Sequence, residues 1–128
     1  MKKFAVALVA SALAVIISQR LAYPLPQFMA EFKAMYIKPD GTEKEKALAA
    51  AFEKSKCNTC HGKNAEGKDD KKVRNVYGAA LGKLLKKEDA MNKEKIIKSL
   101  EQIESEKPKA DGPTFGELLK GGKLPAGT

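Results

Sequence analysis

The chain has 128 residues, of which 43% are hydrophobic, 31% are charged and 6% are aromatic, and its formal net charge is +8. This length leaves room for one domain and excludes a large enzyme with separate substrate and cofactor domains. Two cysteines exclude a disulfide-rich scaffold, and the single histidine, His61, excludes a site that needs several imidazole ligands.

The first residues have the pattern of an export signal. Lys2-Lys3 precede an uncharged apolar run over residues 4–17, which is long enough for the core of a signal peptide and shorter than the ~20 residues that span a bilayer. We expect cleavage after Ala22, so that residues 1–22 are a signal peptide and the protein is periplasmic or otherwise exported. Arg20 stands where a small residue is preferred, so an uncleaved membrane anchor is the alternative.

Residues 23–41 are predicted to form an N-terminal helical extension. Pro24 and Pro26 disfavour a helix at the start of this segment. Residues 27–36 then follow the helical period, and Pro39-Asp40-Gly41 indicates a turn. The apolar face of the predicted helix carries Phe28, Phe32, Met35 and Tyr36.

The next two predicted helices flank a polar loop. Thr42 and Glu45 have the spacing of a capping box, which predicts a helix that runs to about Lys56. Residues 57–72 are polar and contain glycine, so we expect a loop there. Residues 73–86 follow the i, i+3, i+4 apolar period most clearly and predict the strongest helix of the chain.

Two further helices are predicted in the C-terminal part. After a break at residues 87–92, residues 93–104 predict a helix with an isoleucine- and leucine-rich face. Residues 108–113 read as a linker. Thr114 and Glu117 then predict a capped short helix that stops at Gly121-Gly122.

The predicted fold class is therefore all-α, a bundle of about five short helices with no strand pattern. Gly78 and Gly82 lie four residues apart in one predicted helix, where each costs ~1 kcal/mol relative to alanine. Either a close neighbour requires them or the helix tolerates them. Because the inward residues are mostly alanine and leucine, such a core gains little from burial and needs a staple or a large apolar guest.

Cys57-Asn58-Thr59-Cys60-His61 is the motif that carries chemistry. C-x-x-C-H is the attachment signature of c-type haem: two thiols at this spacing reach the two vinyl groups of one porphyrin, and the histidine is held facing the iron. Structural zinc needs four ligands and these residues offer three. A redox-active dithiol favours a thioredoxin-like setting, and a disulfide here would close too small a loop to stabilise much. We predict one covalently bound haem c.

From this motif outward, residues 42–128 resemble the small mono-haem c-type cytochromes. Residues 48–62, with the sequence LAAAFEKSKCNTCHG, look like the N-terminal helix and haem motif of that family. Tyr77-Gly78 and Pro113-Thr114-Phe115-Gly116 also look like segments of small cytochromes of planctomycete-type bacteria. The resemblance implies a haem domain in which a few helices wrap around one haem.

The resemblance also implies roles for individual residues. Cys57 and Cys60 take the two thioethers, and His61 is the proximal axial ligand of the iron. The function implied is that of a carrier of single electrons between redox proteins. We therefore expect no substrate of its own and no enzymatic activity.

The distal iron ligand is expected to be a methionine from a loop after the motif, and Met91 is the methionine in that part of the chain. Met29 and Met35 are alternatives, although their spacing beside aromatic residues is more typical of a core. A lysine or an empty position is also open. An open or displaceable sixth position would make the chain a haem-based gas-binding or sensor subunit, and a haem subunit of a larger complex that binds through residues 23–39 is a third possibility.

Basic residues concentrate around the motif and after it. They predict docking to the acidic surfaces of redox partners, or else an ordinary solvated face. Acidic residues are mixed in along the whole chain without an aromatic platform, so we expect no nucleic-acid binding, and membrane association only if residues 1–22 are uncleaved. Arg74 and Tyr77 are candidates to hydrogen-bond haem propionates. The basic residues around and after the motif are Lys54, Lys56, Lys63, Lys68, Lys71, Lys72, Lys83, Lys86 and Lys87.

Overall fold

The computed structural model describes residues 25–127. Within that range the chain forms five α-helices, two 3-10 helices and one antiparallel pair of strands. The signal peptide or anchor predicted for residues 1–22 lies outside the described residues. The elements in chain order are α1 (Leu25–Tyr36), α2 (Glu43–Ser55), η1 (Lys56–Thr59), β1 (His61–Lys63), β2 (Asp69–Arg74), α3 (Val76–Leu84), η2 (Lys87–Met91), α4 (Lys93–Ile103) and α5 (Phe115–Lys120).

The expectation of an all-α fold is wrong, because a β-hairpin occupies most of the predicted loop at residues 57–72. β1 and β2 pair antiparallel, with His61 opposite Arg74 and a bulge between His61 and Gly62. The second strand also takes Val73 and Arg74 from the start of the predicted helix. The chain is thus mostly helical, with a two-stranded sheet directly after the C-x-x-C-H motif.

The hairpin is closed by side-chain hydrogen bonds to the backbone rather than by an apolar face. Asn64 Oδ1 accepts hydrogen bonds from the backbone N–H of Glu66 at 3.0 Å and of Lys68 at 3.1 Å. Gly67 supplies the positive φ of 76° that the turn requires. Because β2 is mostly charged and exposed, it lacks the apolar alternation by which strands are recognised.

The capped helix starts are where the sequence places them. In α2 the Thr42 N–H donates to Glu45 Oε2 at 2.7 Å, and in α5 the Thr114 N–H donates to Glu117 Oε2 at 2.8 Å. Both are complete capping boxes. The backbone hydrogen bond from Thr42 lowers the pKa of Glu45, so this cap is at full strength once the carboxylate is ionised.

A chain of four aromatic rings runs through the core. The ring of Phe32 in α1 lies 5.7 Å from that of Phe52 and 5.8 Å from that of Tyr77, and Tyr77 lies 5.1 Å from Phe115. These separations and tilts are those of favourable aromatic pairs. Phe32 is only 3% exposed. The helix of the predicted N-terminal extension therefore shares one core with the rest of the described chain.

Substitution of Tyr77 by phenylalanine tests this core. The Tyr77 hydroxyl is buried without a hydrogen-bond partner among the described residues, and this burial raises its pKa. Since removal of an unpaired buried hydroxyl relieves a desolvation penalty, we expect Tyr77→Phe to keep the free energy of unfolding or raise it by up to ~1 kcal/mol. Phe32→Ala should lower it by ~3–5 kcal/mol. Urea denaturation measures both, and a loss above ~1 kcal/mol in Tyr77→Phe would show that the hydroxyl has a partner.

Candidate cofactor site

A largely apolar cavity of about 720 Å³ lies beside the C-x-x-C-H motif. Its volume falls within the ~300–1,000 Å³ typical of small-molecule and cofactor sites. The walls come from α1, the end of α2, η1, the hairpin, α3 and η2. Apolar side chains that line it are Phe28, Met29, Phe32, Phe52, Leu81, Leu85 and Ala90.

The two cysteines and the histidine of the motif line this same cavity. Helix α2 ends at Ser55, and Lys56 then takes a φ of 42°, the one non-glycine residue with positive φ in the described chain. The chain turns there into η1, which carries Cys57, and continues through Cys60 into β1. Both thiols are free. The tight turn thus places the three chemically active side chains of the motif at one cavity.

A backbone carbonyl of the hairpin fixes the ring of His61. His61 Nδ1 lies 3.2 Å from Val73 O. Because a carbonyl oxygen only accepts hydrogen bonds, Nδ1 is the donor, and in the neutral ring the lone pair is then on Nε2. A histidine whose other nitrogen is held in this way is the usual arrangement for a metal ligand. The hairpin that the sequence did not predict is therefore what orients the predicted iron ligand.

Burial affects the protonation of Cys60. Burial, with a smaller contribution from Cys57, raises the pKa of the Cys60 thiol to about 12. The attacking species in thiol–disulfide exchange is the thiolate, and reactive cysteines have lowered pKa values. Burial therefore keeps the Cys60 thiol protonated at physiological pH.

Asn75 connects the motif to α3, and the sequence analysis did not identify it. Its Nδ2 donates to the carbonyl oxygens of Asn58 at 2.9 Å, Thr59 at 3.0 Å and His61 at 3.2 Å. Its Oδ1 caps α3 by accepting from the Gly78 N–H at 2.9 Å. Asparagine before an apolar helix is a known N-cap signal, but the helix was predicted to begin two residues earlier.

Helix α3 packs against the motif at Gly78. A Cβ at this position would collide with the Cys60 carbonyl oxygen, which is backbone and cannot move aside cheaply. The same oxygen accepts a hydrogen bond from the Asn75 N–H at 3.1 Å. A Cβ on Gly82 would instead meet the end of the flexible Arg74 side chain. Of the two explanations for these glycines, a close backbone neighbour holds for Gly78.

The methionines do not all reach the cavity. Met91 is 87% exposed at the end of η2, and the neighbouring Ala90, 2% exposed, lines the cavity instead. The structure therefore does not bring Met91 together with Cys57, Cys60 and His61. Met29 in α1 lines the cavity, whereas Met35 packs against the core elsewhere.

Polar groups at the cavity would suit an anionic, amphipathic guest. All charged side chains that line it within the described chain are basic: Lys56, Lys71, Lys72, Arg74, Lys86 and Lys87. Thr59, also in its wall, is 3% exposed and its hydroxyl has no hydrogen-bond partner in the described part of the chain. An unpaired buried hydroxyl costs free energy, which a bound molecule with a polar group would relieve. Tyr77 does not line the cavity, whereas Arg74 does.

The contact between Gly78 and Cys60 gives a prediction with a matched control in the same helix. Gly78→Ala should lower the free energy of unfolding by about 1–3 kcal/mol, because the backbone of the motif must move. Gly82→Ala should leave it unchanged or raise it by up to ~1 kcal/mol, because only the Arg74 side chain must move and alanine favours helix. Thermal or urea denaturation decides, and equal effects of the two variants would contradict the close packing.

The hydrogen bonds of Asn75 give a second prediction. Asn75→Ala removes a helix cap and the donor of three motif carbonyls, and should lower the free energy of unfolding by about 2–3 kcal/mol. Asn92→Ala is the control, since Asn92 caps α4 with one hydrogen bond to the Lys95 N–H. That variant should lose about 1 kcal/mol. If denaturation curves show equal losses, Asn75 acts as a cap alone.

Comparison of the chain with protein-family models, with curated proteins and with solved structures found no match. Within residues 25–127 no helix has both the length and the apolar character needed to cross a membrane. No three or more His, Cys, Asp or Glu side chains in that range form a metal-binding group on their own.

Proposed function

We propose that this chain is an exported mono-haem c-type cytochrome that carries single electrons between redox proteins. The observation that supports the proposal is the meeting of Cys57, Cys60 and His61 at one cavity of about 720 Å³. The motif makes these residues neighbours in sequence only. Haem attachment also requires a space of cofactor size that all three residues line, and the motif alone does not provide one.

The residues present fit the group. A bound haem supplies reversible one-electron chemistry at its iron. Cys57 and Cys60, which are both free thiols, would hold the haem through thioether bonds to its two vinyl groups, and thiols can form such bonds without an oxidant.

His61 is the proposed proximal ligand, through Nε2. The hydrogen bond from Nδ1 to the Val73 carbonyl holds the imidazole in the required tautomer. Such a bond also increases the basicity of the coordinating nitrogen. The hairpin backbone therefore contributes both to the position of the ligand and to the strength of its bond.

A guest in the cavity also resolves the weakness of the core. Phe28 and Met29 are only half-buried in α1, and together with Phe52, Leu81 and Leu85 they line the open space. Covering apolar surface stabilises the fold by about 25 cal/mol per Å² removed from water. The proposed haem is the large apolar partner that a small helical core of this composition needs.

The basic side chains around the cavity suit acidic partners. Long-range attraction of this kind accelerates association and weakens with rising salt. The proposed donors and acceptors of the electron are therefore redox proteins with acidic surfaces. We place its action outside the cytoplasm, because the predicted export signal would direct the chain out of that compartment.

One observation favours a second candidate, a haem-based gas-binding or sensor subunit. Met91, the distal ligand expected from the family resemblance, is exposed and away from the cavity. If no other side chain takes the sixth position, that position stays open to a diatomic ligand.

Visible spectroscopy of the matured protein tests the proposal. We expect a low-spin spectrum in both redox states and no rapid binding of carbon monoxide by the reduced protein. His61→Gly should retain haem through the two thioethers but lose the low-spin spectrum, and added imidazole should restore it. Because His61 is the only histidine of the chain, no other imidazole side chain can substitute.

Two results would contradict different parts of the proposal. Rapid and complete carbon monoxide binding by the wild-type protein would favour the gas-binding alternative. An unchanged spectrum in His61→Gly would show that the proximal ligand is another residue.

A further inference from the structure

We propose that Met29, on the helix that precedes the haem motif, is the distal ligand of the iron. The inference rests on the proposed function. Of the three methionines in the described chain, Met29 lines the cavity, whereas Met35 and Met91 do not. A thioether sulfur opposite histidine is a common axial pair for electron-transfer haems and needs no deprotonation to bind iron.

Packing of the aromatic core holds Met29 at the cavity. Phe28, Met29 and Phe32 form the face of α1 that lines it. Phe32 stacks on Phe52 with the ring centroids 5.7 Å apart, and Phe52 lies in the last turns of α2, just before Cys57. One buried aromatic contact therefore ties the helix that carries Met29 to the helix that leads into the motif.

Two polar contacts fix α1 against α4 and the residue that directly follows it. The Tyr36 hydroxyl donates to Glu104 Oε1 at 2.6 Å, and Lys93 Nζ lies 3.7 Å from Glu31 Oε2. Glu31 is itself 6% exposed, so this carboxylate is buried beside its partner. With Phe32 in the core between them, these contacts make α1 part of the fold, and a side chain on it has the fixed position that an axial ligand needs.

The wall that contains Met29 differs from the wall that contains His61. Helix α1 packs against η2. Ala90 of that turn lines the cavity, whereas the sequence led us to expect its neighbour Met91 there. His61 belongs to the hairpin. A second iron ligand would have to come from a wall other than the one that holds His61, and α1 is such a wall.

Lysines in the cavity wall compete less well for this role. Lys71 and Lys72 lie on β2, the strand that pairs with the strand of His61, and Lys56 directly precedes Cys57. The Lys86 ammonium donates to the Gly82 carbonyl at 3.3 Å. Any lysine must also lose its proton before it binds iron, whereas methionine is neutral at every pH.

One substitution at each of the three methionines tests the proposal. In Met29→Leu the haem-loaded protein should lose the sulfur-to-iron absorption band of the oxidised state, bind carbon monoxide when reduced, and show a shifted reduction potential. Met35→Leu and Met91→Leu are matched controls that change the same atoms at positions away from the cavity, and both should keep the wild-type spectrum and potential. A Met29→Leu protein that retains the band and excludes carbon monoxide overturns the proposal.

A second measurement decides if Met29→Leu does not accumulate. In the double variant Met35→Leu/Met91→Leu, Met29 is the one methionine left after Met1. A methionine methyl resonance displaced by the haem ring current should persist in its proton NMR spectrum, and loss of that resonance overturns the proposal. Wild-type protein that carries no covalent haem would instead refute the proposed function before any variant is compared.

Discussion

The amide of Asn75 holds the C-x-x-C-H segment in place, and the geometry of the candidate site depends on it. One side chain donates to the carbonyls of Asn58, Thr59 and His61 and at the same time caps α3. These bonds give a donor to each of three carbonyls in and beside a tight turn, and a buried polar group without a partner is costly. The cap brings α3 so close that only glycine fits at position 78.

The hairpin completes what Asn75 begins. Asn64 and Gly67 close its turn, and the second strand then presents the Val73 carbonyl to His61 Nδ1. Two asparagines and a glycine thus control the orientation of the one histidine. None of them is a proposed ligand, but each helps to hold the His61 ring whose Nε2 is the proposed ligand atom.

The capping boxes could be predicted from the sequence, because each is a local pattern with a local cause. Thr42 with Glu45 and Thr114 with Glu117 fix the starts of α2 and α5. The hairpin could not be predicted, because β2 is mostly charged and is held by backbone pairing and by a turn that a side chain closes. The residues of the cavity wall could not be predicted from the sequence either. One 3-10 turn exposes Met91 and buries Ala90, and tertiary packing brings Met29 to the cavity from an earlier helix. Long-range packing, which local sequence patterns do not reveal, places Met29 in the cavity wall and leaves Met91 outside it.

An electron carrier of the proposed kind has both sulfurs of the motif bonded to one porphyrin. Mass spectrometry of the exported protein, matured in cells that attach haem to C-x-x-C-H sequences, measures this directly. The peptide that contains Cys57, Cys60 and His61 should carry the added mass of one haem. It should also keep the haem colour after the protein is denatured. A colourless peptide in which both thiols react with an alkylating reagent would contradict the account.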